Sequence, residues 1–172
     1  DHKGATAASP IRRMPFPDEV VLPLRQHAGA PAKVLVKAGQ RVERGDKVGA
    51  AQGYVSVPIH ASASGTVTAV DWWPHPDGSQ AEAVRIAVDP HSAQIPRPRL
   101  VPRWDDLDAD GVRAAVQEAG VVGLGGAAFP THVKLNPPEG RAVETLIVNG
   151  AECEPYLTSD HRVMVEHPER VH

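Results

Sequence analysis

The 172-residue chain has a single cysteine, Cys153, so no internal disulfide can form and no C-x-x-C pair is present to hold an iron–sulfur cluster. Aromatic residues make up only 4%, which leaves Val, Ala, Leu and Ile to build the core. No apolar run approaches the roughly 18 residues that span a bilayer. Residues 1–10, DHKGATAASP, hold no signal-type apolar core, and the chain reads as having no transmembrane segment. Lys and Arg form no block and the net charge is −3, so the electrostatic footprint of a nucleic-acid binder is missing. Nine histidines are scattered, and His161 with His167 lacks the one-face helical spacing of a zinc motif, so no metal is expected. What the chain does have is 17 prolines and 15 glycines, which imply many turns and an extended connector.

Between Ala32 and Val88 short β-branched segments alternate with turns: KVLVKAG, QRVERGDKVGAA, VSVPIHAS, SGTVTAVDWW and AVRIAVD. The spacing of Val34 and Val36, and of Val67 and Val70, suits half-buried strands of a small barrel or sandwich. The order VKAGQRVERGDKVG then IHASASGTVTAV resembles the barrel-sandwich hybrid of lipoyl and biotinyl carrier domains, in which a lysine at a hairpin tip carries the cofactor. Here the hairpin region is GAAQGYVSVP and the nearest lysine, Lys47, precedes it, so the module reads as a carrier fold that carries nothing. Trp72 and Trp73 either pack at the edge of this module or form an interface patch.

Residues 89–103, DPHSAQIPRPRLVPR, hold four prolines and read as a connector. Asp108 then suits the N-cap of a helix over Ala109 to Ala119, with Val112, Ala115 and Val116 on its apolar face and Gly120 in the left-handed position after it. The stretch that follows, GVVGLGGAAFPTHVK, ends in Lys134 and carries Gly123, Gly125, Gly126, Ala127 and Ala128. Residues this small let backbone lie against a flat ring or a diphosphate. The spacing matches neither G-x-G-x-x-G nor G-K-[ST]. Further on, ETLIV from Glu144 to Val148 reads as a strand whose carboxyl end delivers NGAECEPYLTSD, the place where open α/β sheets bind ligands.

The runs GLGGAAFPTHVKL and IVNGAECEPYLTSDHRVM resemble the C subunit of the Rnf electron transport complex, over essentially the whole chain. They are more distantly similar to the flavoprotein subunit of respiratory complex I. The resemblance implies an α+β fold: an N-terminal all-β, lipoyl-like barrel-sandwich hybrid, then the beginning of an α/β FMN- and NADH-binding domain. The segments expected are an extended arm (1–31), the β module (32–90), a Pro-rich linker (91–103) and the start of the flavin domain (104–172). The ending VMVEHPERVH reads as a helix without a closing cap, so the chain is expected to be a piece of a longer polypeptide. In the Rnf family that polypeptide continues to cysteine-rich segments with two 4Fe–4S clusters.

As cofactor-binding residues the resemblance implies Gly123, Gly125, Gly126, Ala127, Phe129, Lys134, Asn149, Glu152 and Glu154, with FMN and NADH as the groups bound and no catalytic side chain. Phe129 stacks on a ring or anchors core, and Lys134 meets a phosphate or flavin or stands as a surface lysine. Glu152 and Glu154, alternating about Cys153, share one side of an extended segment and line the pocket or a solvated loop tip. Cys153 itself reads as a small buried residue, having no His or Cys partner in spacing. Two positions depart from complex I: Leu124 stands where that family has arginine, and Ala151 where it has aspartate.

The implied activity is part of an NADH:ferredoxin oxidoreductase on the cytoplasmic side of the inner membrane. NADH would pass hydride to FMN, and electrons would leave singly for iron–sulfur clusters. Partners would be NAD(H) and the other Rnf subunits, the 172 residues alone being inactive. A rival reading is a structural subunit that docks on membrane-embedded partners; a third is a modified carrier module.

Overall fold

In the computed structural model the described residues are 2–96, 103–124, 126–138, 140–141, 143–147, 149–152 and 154–170. They form two compact units. One comprises Phe16–Glu139, and the other joins Asp1–Pro15 to Gly140–His172. These units cut across the four segments expected from the sequence.

The first unit is built on seven antiparallel strands. β1 (Glu19–Pro23), β7 (Gln80–Val88), β6 (Gly65–Pro74) and β3 (Arg41–Val42) lie side by side in that order in one sheet. β2 (Lys33–Val34), β4 (Lys47–Ala50) and β5 (Ile59–His60) make the other. Leu22, Leu24, Val42, Val48, Ile59, Val67, Val84 and Ile86 form one buried cluster, against which Val34 and Val70 pack. The valines expected in the core are therefore there. Val67 and Val70 are an odd number of residues apart, and strict alternation would send them to opposite faces. A bulge between Val67 and Ala69 in the β6–β7 ladder inserts the extra residue and returns Val70 to the core side.

β1 is missing from the strands read in the sequence. Among the described residues it pairs only with β7, from Glu19 opposite Ala87 to Pro23 opposite Ala83. A terminal proline is tolerated there because β1 is an edge strand. The β6–β7 hairpin closes over HPDGS, where His75 N donates to Ser79 O at 2.8 Å and Gly78 N to His75 O at 2.9 Å. Asp77 Oδ1 accepts from Ser79 N at 2.9 Å, a side-chain-stabilised turn typical of Asp-Gly.

Two short helices belong to the same unit. α1 (Ala109–Glu118) starts where expected: Asp108 is extended, and its carboxylate accepts from Gly111 N at 2.7 Å. Val112, Ala115 and Val116 are half-buried. Gln117 Nε2 donates to Ser56 O at 3.0 Å, and Lys47 pairs with Glu118. Lys47 thus lies in a strand, in an ion pair with a helix. Gly120 has φ +73°, and a β-carbon there would come within 2.9 Å of Pro58 O. Only glycine lets the chain turn off α1 so close to the sheet. α2 (Thr131–Lys134) follows the glycine loop.

In the second unit the helix is α3 (Ser159–Glu166), whose Arg162 Nε donates to Glu166 Oε1 at 2.8 Å. The strand expected over Glu144 to Val148 is not formed among the described residues 143–147, and Val148 lies outside them. Leu146 and Ile147 are 80% and 83% exposed. A strand needs a partner for its N–H and C=O groups, and none is supplied here among the described residues.

Candidate functional site

The glycine loop is a closed structure. Val122 bridges Pro130 antiparallel, Gly123 N donates to Phe129 O at 2.9 Å, and Thr131 N donates to Val121 O at 3.0 Å. Leu124 and residues 126–128 lie at the tip, with Leu124 92% exposed and Gly126 and Ala127 also exposed. Gly126 has φ +106°, and a β-carbon built on it would meet nothing within 4 Å. Ala128 is left-handed at φ +46°, a conformation unusual for a residue with a side chain, and its carbonyl accepts from Ala28 N at 3.2 Å. That bond ties the loop tip to the segment after β1.

Lys134 folds back over the loop, its Nζ 2.8 Å from where a β-carbon on Gly123 would stand. Phe129 is partly exposed at the loop's descending end. Gly125 lies outside the described residues. Beneath the loop, His132 is 2% exposed. Its Nε2 lies 2.7 Å from Tyr54 O, a carbonyl that can only accept, so Nε2 carries the proton. Nδ1 is then a buried acceptor with no partner among the described residues. Tyr54 stands edge-on to the ring at 5.5 Å, and its hydroxyl receives Asn136 Nδ2 at 2.9 Å. α2 is thereby fastened to the hairpin region that carries the cofactor lysine in carrier domains.

A hollow of roughly 430 Å³ opens beside the tip, lined by Gly126, Ala127 and Ala128 and by Arg25, His75 and Asp77 of the sheet module. No spacing in the sequence links these two groups of residues. Arg25 Nη2 bonds to Asp77 Oδ2 and to Ser79 Oγ at 2.6 Å, and His75 Nε2 donates to Arg25 O at 2.9 Å. Asp77 sits well below the usual carboxylate range, held there chiefly by hydrogen bonding with Ser79, with Arg25 also donating to it.

Asn149, Glu152 and Glu154 lie in the other compact unit. Asn149 Oδ1 accepts from Ala151 N at 2.9 Å, a local turn. Glu152 Oε1 accepts from Ser159 N at 2.8 Å, Ser159 Oγ at 2.7 Å and Asp160 N at 3.3 Å, so its carboxylate caps α3 in place of Thr158. Burial raises the Glu152 pKa, but these hydrogen bonds and the charge of Lys3 outweigh it and leave it below its ordinary value. Oε2 is buried with no partner among the described residues. Glu154 is exposed. Lys3 Nζ gathers the carbonyls of Glu152, Glu154 and Leu157 at 2.7, 3.2 and 3.0 Å. Cys153 lies outside the described residues.

The family model for the RnfC Barrel sandwich hybrid domain matches residues 1–91, just over half the chain. The chain belongs to the RnfC family. A second family model, the Nuo51 FMN-binding domain, matches residues 116–171, which include the glycine loop and α3. Among RnfC relatives, the C subunit of the Na(+)-translocating ferredoxin:NAD(+) oxidoreductase complex of Acetobacterium woodii is 44% identical over 169 residues, 98% of this chain and 38% of that protein. The C subunit of the proton-translocating ferredoxin:NAD(+) oxidoreductase complex of Clostridium ljungdahlii is 41% identical over 171 residues, 99% of this chain and 37% of that protein. Its counterpart in the ion-translocating oxidoreductase complex of Rhodobacter capsulatus is 42% identical over 173 residues, covering 99% of this chain and 33% of the relative. The chain thus spans between a third and two fifths of these RnfC proteins. No helix among the described residues is long and apolar enough to cross a membrane, and no cluster of metal-ligating side chains occurs among them.

Proposed function

We propose that the chain is part of the FMN-binding, NADH-oxidising subunit of an Rnf-type, ion-translocating NADH:ferredoxin oxidoreductase. The observation that carries this reading is the closed loop 122–130, which exposes Gly126 and Ala127 within the segment matched by the FMN-binding family model. The names of the relatives support an oxidoreductase subunit of a multi-subunit complex. Its location would be peripheral, on the cytoplasmic side of the membrane, with other Rnf subunits as partners.

The loop fits a flat cofactor. Gly126 presents backbone and open space where a side chain would intrude, and Lys134 brings a positive charge over Gly123. Bound FMN supplies the conversion of a hydride's two electrons from NADH into single-electron transfers, toward 4Fe–4S clusters held outside these residues. The chain's own work is positioning, for which no nucleophile or general base is needed. Gly123, Gly126 and Ala127 would leave room for the ring, with Phe129 and Lys134 beside it, and Gly125 joins them on the family resemblance. Asn149, Glu152 and Glu154, in the second unit, are assigned to cofactor binding on the family resemblance, and Glu152 also fixes the start of α3.

Purifying the complete subunit and recording its visible spectrum and NADH oxidation tests the reading. A flavin spectrum bleached by NADH is the expected result. A colourless, NADH-inert protein would overturn it in favour of a docking role, for which Trp72, 71% exposed on β6, is the available surface feature.

A further inference from the structure

The hollow beside the loop tip has two walls from distant parts of the chain. One is Gly126 to Ala128; the other is Arg25 with His75 and Asp77 of the β6–β7 turn. Its volume of roughly 430 Å³ falls within the range of small-molecule sites. The walls are fixed to each other by the Ala28 N to Ala128 O bond at 3.2 Å. The segment that bears Arg25 is itself pinned, since the buried His27 contacts Val57 N and O through Nε2 at 3.3 and 3.2 Å.

Arg25 is the cation of this hollow. Its bonds to His75, Asp77 and Ser79 all use Nη2, so Nη1 and Nε have no hydrogen-bond partner among the described residues. The side chains of Arg25 and Asp77 are 39% and 45% exposed. Pairs this open hold their partners weakly, whereas a phosphate offers a planar guanidinium a bidentate, charge-assisted contact. Asp77 and the turn around it hold the guanidinium through Nη2, which leaves Nη1 and Nε as donors for a further acceptor.

We propose that Arg25 of the barrel-sandwich module receives a phosphate of the nucleotide bound at the glycine loop, so that the β module forms one wall of the site. This rests on the reading of that loop as a nucleotide or flavin site. The phosphate is that of FMN or of the NADH diphosphate, and the experiment separates them.

In the complete subunit, the dissociation constants of FMN, riboflavin and NADH are measured for wild type, Arg25→Ala and Asp77→Asn, with thermal melts as a check on folding. If the phosphate is that of FMN, Arg25→Ala weakens FMN by about tenfold or more and leaves riboflavin unmoved. If it is the dinucleotide's, NADH weakens and both flavins are unmoved. Asp77→Asn breaks the same ion pair but frees the guanidinium, so it keeps or tightens the phosphate contact. Equal losses in Arg25→Ala and Asp77→Asn, or wild-type affinity for FMN and NADH in Arg25→Ala, overturn the proposal and make the pair a brace of the hairpin. A wild-type subunit that binds neither flavin nor NADH overturns the underlying reading as well, which distinguishes the two failures.

Discussion

Gly126 combines a φ of +106° with open space within 4 Å of where a β-carbon would stand. Those two properties have separable consequences. A valine there is opposed by its own backbone conformation, at a cost of about 1–2 kcal/mol for the left-handed region, but its β-carbon meets nothing within 4 Å. The same side chain would fill the space assigned to the ligand. Gly126→Val in the complete subunit is therefore expected to fold with a modestly lower melting temperature and to lose most of its bound flavin. The flavin-to-protein absorbance ratio, read beside a thermal melt, checks this; full occupancy with unchanged NADH oxidation would make the loop a turn and nothing more. At this scale composition was informative, because glycines and alanines in one run already imply a backbone surface. Arg25, His75 and Asp77 could not be read that way. They reach the loop through the fold of the sheet module, and no local spacing records a meeting between segments so far apart in the chain.

At the level of elements, α1 was legible from end to end because its signals are local: the Asp108 cap, the apolar face and the left-handed Gly120. The strands of the β module were legible from alternation, with β1 hidden between prolines and the β6 bulge visible only in the ladder. ETLIV has the composition of a strand and does not form one among the described residues, since strand formation needs a partner that sequence composition cannot supply. For α3 the cap is remote, seven residues before Ser159, and a capping carboxylate at that distance leaves no motif. Glu152 and Glu166 both lie below the ordinary glutamate range. For Glu152 the bonds from Ser159 and Asp160 and the charge of Lys3 overcome burial; for Glu166, Arg162 and then Ile11 N are responsible. A depressed carboxylate pKa contributes stability that is complete above the unfolded value and is lost as pH falls through the folded one. The amides of Ser159 and Asp160 should thus keep their hydrogen-exchange protection through the range where ordinary glutamates titrate, about pH 4.3, and lose it only as the pH falls below that range. Glu152→Gln should show much of that loss already at neutral pH. Protection independent of pH, and equal in the variant, would mean that the carboxylate does not hold the helix.

For the whole molecule, the matched families and the compact units divide the chain differently. The FMN-binding match begins inside α1 at residue 116 and runs to 171, whereas α1, the glycine loop and α2 share a compact unit with the β module. The reason lies in the anchors: Lys47 with Glu118, Gln117 Nε2 on Ser56 O, Gly120 against Pro58 O, and His132 buried on Tyr54 O. The hydrophobic cluster, by contrast, draws all its residues from Leu22 to Ile86. It follows that residues 16–139 expressed alone should unfold in one cooperative transition with β-rich circular dichroism, because core and anchors are both retained. Cutting back to residues 16–96 keeps the cluster but strips α1 and α2 from the carbonyls of Ser56 and Tyr54. That shorter piece should keep its sheet signal and melt at a lower temperature, each lost hydrogen bond to a carbonyl contributing on the order of 1 kcal/mol. Calorimetry of the two pieces decides the matter. Equal melting temperatures would mean that the glycine loop is only tethered to the β module, and the hollow that Arg25 shares with Gly126 would then have no fixed second wall.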